Sequence, residues 1–451
     1  VGPFVGGEVI EKAGSKRLEP GLQCHDSHYA IIRSMKPLVL VLSAHVFSML
    51  GFSSYAVSLV SLKELWVLSN TEAGAIASGF FIGYMLAVPM WTAMTDRRDA
   101  RQVYAMGCLA SAAASLGFGL SAQGFVSGLA WQMLLGAGVA ATYMPGLRIL
   151  TLIFTGKEQS RGVSFYTAFF GVGAALSLLL SGLALQALGW QWAMGLPALG
   201  PLLALLLMRL AAPDSIWSQT LPSPSMAKVS SSGLHWQMLF PISAWRRACQ
   251  SRAVVGYAFG YGVHCMELFG SRAWTVAFLV FAMAQPGSGH WPFTAAAIAA
   301  FVNLISVPSS IVGNEIALRL GRQPWIRGVM VATTLFSLVL SLSAGFGFAW
   351  WVTVICLGIY SMLTMADSAT LTAGFVQAAP EEVKGAAMGL YSLLGFGAGA
   401  VGPAVFGAVL DLAGGATQPP AWALAYLAIG LGCLVYPFVQ RRLFAAQPVA
   451  G

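Results

Sequence analysis

Thr92-Ala93-Met94-Thr95-Asp96-Arg97-Arg98-Asp99-Ala100-Arg101 sets five charged side chains between two apolar runs, 73–94 and 103–122. Each run is about as long as the roughly 20 residues a helix needs to cross a hydrocarbon core of about 30 Å. Working outward, further runs of this kind lie near 37–60, 126–147, 163–187, 191–210, 253–281, 293–313, 328–347, 350–373, 386–411 and 421–438. Their continuous apolarity argues for helices, because barrel strands would alternate polar and apolar residues over about ten positions. Only 9% of the 451 residues are charged while 57% are hydrophobic. A soluble chain carries about a quarter charged residues, so most of this surface must face lipid. A soluble enzyme, a disordered chain and a disulfide-stapled secreted protein are excluded on the same ground.

The basic residues orient the runs. Lys and Arg collect in cytoplasmic loops, and here all but Lys63 and Arg272 fall in the termini, the alternate short loops or the central segment from Arg209 to Arg252 if both ends are cytoplasmic. One wrongly merged or split helix would scramble that pattern. The net charge of +8 is too dispersed for a nucleic-acid surface. Cys24, Cys108, Cys249, Cys265, Cys356 and Cys433 form no CxxC or zinc-type pattern and read as small packing side chains. Residues 1–36 are mixed and polar, without the apolar core of a cleaved signal peptide. The expected fold is therefore an all-α integral membrane protein with twelve transmembrane helices. Its parts are an N-terminal tail 1–36, a six-helix bundle 37–210, a cytoplasmic linker 211–252, a second six-helix bundle 253–440 and a tail 441–451.

The two bundles repeat each other weakly. Gly156-Lys157-Glu158-Gln159-Ser160-Arg161-Gly162, leading to Gly171 and Gly173, matches Pro380-Glu381-Glu382-Val383-Lys384-Gly385, leading to Gly395, Gly397 and Gly399. Asp96-Arg97-Arg98-Asp99-Ala100-Arg101 likewise has a counterpart in Arg319-Leu320-Gly321-Arg322. Paired halves with short charged turns are the repeat logic of a rocking transporter, whose solute site lies between the halves near the bilayer midplane.

On these residues the chain resembles the major facilitator superfamily over nearly all its length beyond the N-terminal tail. The family's loop between helices 2 and 3 reads G-x-x-x-D-R-x-G-R-R, and Asp96, Arg97 and Arg101 keep its Asp-Arg pair and final basic residue. Tyr143-Met144-Pro145-Gly146-Leu147-Arg148 with Arg161-Gly162 is similar to the family's helix 4 to helix 5 passage. Gly399-Ala400-Val401-Gly402-Pro403, closed by Asp411, is similar to its helix 11. The arginine many members carry in helix 4 falls at Gln132, and helix 5 has no proline between Gly171 and Gly182, so the sequence names no subfamily. The resemblance implies the two-bundle fold in a cell (inner) membrane, a monomer, alternating access, and a loop at Asp96, Arg97 and Arg101 that latches the inner ends of the halves.

Ionisable residues inside a bilayer are costly, and each is a functional candidate. At about 1.5 Å per residue, His45 lies about 12 Å into the first run, and His264 and Glu267 about 16 and 21 Å into the seventh. Tyr261, His264 and Glu267 share a stripe. Glu267 is the mid-membrane carboxylate, and desolvation favours the neutral form of such a group, which suits proton loading and release. The expected coupling and solute set is Glu267, His264, His45, Tyr261, Asn303 and Tyr143, against a plain packing role for the weaker members. Arg272 is expected to reach the outer headgroups, or else to attract an anionic solute. Arg148 and Asp367, 219 residues apart, are expected with Arg161 and the loop charges at the inner gate, paired with each other or with the loop.

The leading reading is a secondary active transporter of a small polar or anionic organic solute, coupled to protons and not an enzyme. No cofactor is implied, and the absence of a P-loop argues against ATP drive. One alternative is a copper-like metal carrier using His45, Met49, His264 and Met266. Another is a membrane sensor that kept the fold and lost transport.

Overall fold

A backbone in hydrocarbon has no water to bond, so its N–H and C=O groups must be satisfied within the span. The computed structural model describes residues 37–95, 98–154, 156–211 and 240–444, and among them it contains helices and no strand. Eleven helices are long and apolar enough to cross a membrane. They are α2 (Asn70–Thr95), α3 (Ala100–Ser121), α4 (Phe125–Ile153), α5 (Gly156–Leu188) and α6 (Trp190–Ala211), then α7 (Arg252–Met283), α8 (Ala295–Leu320) and α9 (Arg322–Gly345), and finally α10 (Trp350–Ala378), α11 (Lys384–Leu412) and α12 (Pro419–Phe444). The first crossing, α1, is made of two shorter pieces, Pro37–Ser48 and Ser54–Leu65. The tails 1–36 and 445–451 and the linker core 212–239 lie outside the described residues.

The single continuous helix expected over 37–60 is thus corrected. The chain unwinds at 49–53, and a neighbouring helix satisfies the backbone groups this frees. Ser177 of α5 donates to the Leu50 carbonyl and accepts from the Ser53 N–H, while Ser53 Oγ bonds the Ala174 carbonyl at 3.3 Å. A second break falls in α10 at Ala366 and Asp367. There the Ala366 carbonyl accepts from the Trp325 indole at 3.1 Å, and the Ala369 N–H donates to Ser310 Oγ at 3.2 Å. Pro89, Pro145, Pro308, Pro403 and Pro437 all lie inside continuous helices, so proline does not mark either break.

With twelve crossings, the helix ends at Pro37, Ala211, Arg252 and Phe444 belong to one face, called the linker face; the opposite one is the far face. Toward the far face the halves are closed on each other. Tyr55 and Leu59 of α1 share a buried apolar cluster with Trp274 and Phe278 of α7, Phe406 of α11 and Trp422 of α12. Here α2 crosses α11 at backbone contact, and a Cβ at Gly74 would overlap the Pro403 carbonyl, one at Gly407 the Asn70 carbonyl. At the end of the same crossing Asp411 caps α2 from the other half. Its Oδ1 accepts from Asn70 N at 3.1 Å and Nδ2 at 2.7 Å, and its Oδ2 from Thr71 N at 2.7 Å and Oγ1 at 2.6 Å. A carboxylate at a helix N-terminus meets both unsatisfied N–H groups and the positive end of the dipole.

Candidate functional site

Three sites emerge: a polar cluster in the second half, an aromatic cage in the first, and a cavity between them.

The polar cluster is built on α7. His264 and Glu267 are 3% and 2% exposed, and Asp367 of α10 is 2% exposed, so three ionisable groups share a dry interior. The break in α10 turns Asp367 toward α7, where its Oδ1 lies 2.8 Å from His264 Nδ1. Glu267 Oε1 accepts from the Tyr360 hydroxyl at 3.4 Å and Oε2 from the Cys433 thiol at 3.2 Å. Tyr261 stacks on Tyr391 of α11 with centroids 3.9 Å apart, and on His264 at 6.1 Å. Glu267 therefore has two donors for its charged form, whereas Asp367 Oδ1 lies close to His264 without a formed hydrogen bond among the described residues, and each carboxylate can take up a proton and become a donor itself.

This placement corrects the expectation that Asp367 pairs with Arg148 or the loop. A straight helix would carry Asp367 toward the linker face, but the unwound turn lets its side chain fold inward. Arg148 instead donates to Thr95 Oγ1 of α2 at 3.0 Å. Arg101 pairs with Asp99 at 2.8 Å, Asp99 caps α3, and Arg161 is exposed on α5. Asp96 and Arg97 lie outside the described residues.

In the first half His45 is fully buried, stacked on Tyr166 with centroids 4.0 Å apart, and flanked by Tyr143 at 5.4 Å and Phe170 at 6.5 Å. Neither ring nitrogen of His45 has a hydrogen-bond partner among the described residues. The metal set is divided by this arrangement: His45 is enclosed by rings of α4 and α5, whereas His264 faces Asp367. Among the described residues no three His, Cys, Asp or Glu side chains converge as a metal ion would require.

The cavity opens between the halves, lined by residues of α1, α2, α4, α5, α7, α8 and α10. Phe52 at the α1 break, Phe80 and Phe81 of α2 and Phe269 of α7 line part of it as a packed ring cluster that joins the halves. Arg272 of α7 also lines it, so of the two places expected for this residue the structure favours the one beside the solute space over the outer headgroups. Of the six residues expected to handle solute and protons, Asn303 lines this cavity. Its Nδ2 donates to the Gly171 carbonyl at 3.3 Å, tying α8 to α5, and its Oδ1 has no partner. Glu267 stands one layer behind the wall, and Tyr360 connects the two, lining the cavity while donating to Glu267. Tyr360, Cys433, Tyr391, Tyr166 and Asp411 had no assigned role in the sequence reading; an ordinary Tyr or Cys in an apolar run carries no signal of the helix it will face.

The Major Facilitator Superfamily model matches residues 41–403. The chain belongs to the Major Facilitator Superfamily and is a multi-pass membrane protein of that fold. It is similar to Protein spinster homolog 3 of Danio rerio, 23% identical over 51% of this chain and 45% of that one. It is also similar to a probable L-galactonate transporter of Escherichia coli (strain K12), 25% identical over 34% of each chain. The match thus spans less than half the length of these relatives. Among solved structures, a POT family transporter in complex with 5-aminolevulinic acid superimposes with a TM-score of 0.69 at 12% identity, over 90% of this chain and 96% of that one.

Proposed function

We propose that the protein is a secondary active transporter that moves a small polar or anionic organic solute by alternating access, driven by protons held at Glu267. The observation that carries this reading is Tyr360, which faces the cavity on one side and bonds the buried Glu267 carboxylate on the other. A solute that displaces the Tyr360 hydroxyl removes a hydrogen bond from ionised Glu267 and so favours its protonated form, which links occupancy to proton loading. His264 and Asp367, adjacent on the linker-face side, offer the next proton-accepting groups. The far-face closure is one end state of the cycle, and separation of Asp411 from Asn70 and Thr71 opens the other. The distribution of Lys and Arg supports cytoplasmic termini in a cell (inner) membrane. The relative named for L-galactonate, an organic acid, supports an anionic solute.

The test is reconstitution into proteoliposomes containing a pH-sensitive dye. Solute-dependent acidification that disappears in Glu267→Gln, with the purified variant still folded, is the expected result. Acidification undiminished in that variant would remove Glu267 from the coupling path, and solute uptake without proton movement would point to another driving ion.

A further inference from the structure

The charge pattern of the cavity narrows its ligand, given the transport reading above. Among the described residues that line it, Arg272 is the one that carries a charge. No hydrogen bond or ion pair joins its guanidinium to another described residue. An uncompensated cation between apolar helices is costly, and a mobile anion entering the cavity relieves that cost. Because one positive charge is present, a single negative charge balances it, while a dianion would bring in a second without a partner.

The remaining wall limits the rest of the ligand. Ser271, Thr275 and Thr364 donate their hydroxyls to their own helices, to the carbonyls of Leu268, Ser271 and Tyr360. Two buried polar atoms in the wall are left without partners, Gln132 Nε2 and Asn303 Oδ1. The first is a donor and the second an acceptor. An ammonium group would find no carboxylate in the wall, since Glu267 lies behind Tyr360. Another part of the same wall is a ring cluster, with Phe52 edge-on to Phe80 at 5.1 Å and Phe81 against Phe269 at 4.6 Å. Such a surface favours a flat apolar body by burial and ring packing.

We propose that the cavity binds a monoanionic organic acid with an aromatic body, its carboxylate on Arg272 and its ring among Phe52, Phe80, Phe81 and Phe269. Zwitterionic amino acids, organic cations and small dianions are disfavoured by the same wall.

The experiment is a binding measurement on the full chain in detergent, following thermal unfolding by intrinsic tryptophan fluorescence. The probes are 3-phenylpropionate, its neutral amide, the matching amine, and succinate. Expected is concentration-dependent stabilisation by 3-phenylpropionate, with the amide needing at least about tenfold higher concentration, as loss of a charge-assisted bond implies. The amine and succinate should give no shift. Stabilisation should vanish in Arg272→Gln and persist in part in Arg272→Lys. Equal effects of acid and amide, a stronger effect of succinate, or no effect of any probe would each overturn the proposal. The acid and amide comparison on the unaltered protein decides even if Arg272→Gln fails to fold. Binding with neither uptake nor proton flux would overturn the transport reading and leave the ligand class standing; flux with a cationic or neutral solute would do the reverse.

Discussion

His45 and His264 stand 219 residues apart at matching depths of matching helices, yet their surroundings are opposite. His264 meets a carboxylate and lies three residues from another. His45 is sealed among aromatic rings with both nitrogens unpartnered among the described residues. The difference originates on the partner helices. Position 367, where α10 breaks, holds Asp, whereas the corresponding position 148 holds Arg in the unbroken α4 and bonds outward to Thr95. A duplicated frame has thus placed its ionisable chemistry in the second half and a rigid aromatic block in the first. Asymmetry of this kind suits a transporter in which one bundle carries the proton and the other supplies the opposing wall.

That contrast can be broken most sharply at Asp367. Asp367→Asn should lower solute-dependent proton flux in proteoliposomes by roughly a hundredfold, the scale of losing a positioned proton carrier. Arg148→Gln should leave the proton-to-solute ratio unchanged. Equal loss of coupling in both variants would mean that the halves share the proton work.

The two helix breaks provide the next comparison. Ser177 serves two backbone groups at the α1 break, Ser310 one at the α10 break. Ser177→Ala should cost about 1–3 kcal/mol of stability, because buried backbone groups lose their partner. Ser310→Ala should cost less. Thermal unfolding in one detergent checks the order, and the reverse order would mean that other groups take over at 49–53.

Where the halves meet, Asp411→Asn should weaken the α2 cap by about 1 kcal/mol. Cysteine placed at Ser69 should then react faster with an impermeant maleimide added from the far face; an unchanged rate would mean that the apolar cluster alone holds the closure.

The smallest effect is expected at His45. Replacement by Phe keeps the ring stack on Tyr166 and removes two unpartnered nitrogens, so stability should hold or rise and transport should be nearly unchanged. Abolished flux with a folded variant would show that His45 titrates after all, and the contrast between the halves would fail.

Much of the frame was legible in the residues because lipid permits so few solutions. A run of about 20 apolar residues must be helical, and short charged turns must lie at its ends. Glu267 was legible for the same reason, as a carboxylate where carboxylates are costly. Asp367 was not. Its depth was read along a straight α10, and the break at Ala366 has no proline to announce it; its backbone groups are bonded by Ser310 and Trp325, remote in the chain. Arg272 stood open between two places because depth along α7 says nothing of which neighbour the side chain faces.

The sequence by itself determined the membrane class, the spans, the duplicated halves and the family, since periodicity, length and charge placement act locally and are repeated along the chain. Only the tertiary structure decided that Asp367 belongs to His264, that Tyr360 joins Glu267 to the cavity, that Arg272 lines the cavity as its charged residue, and that Asp411 closes the far face. Those relations depend on which helix faces meet, and in an apolar chain nearly every face is chemically able to meet another; packing of small residues and the few buried polar groups makes the choice.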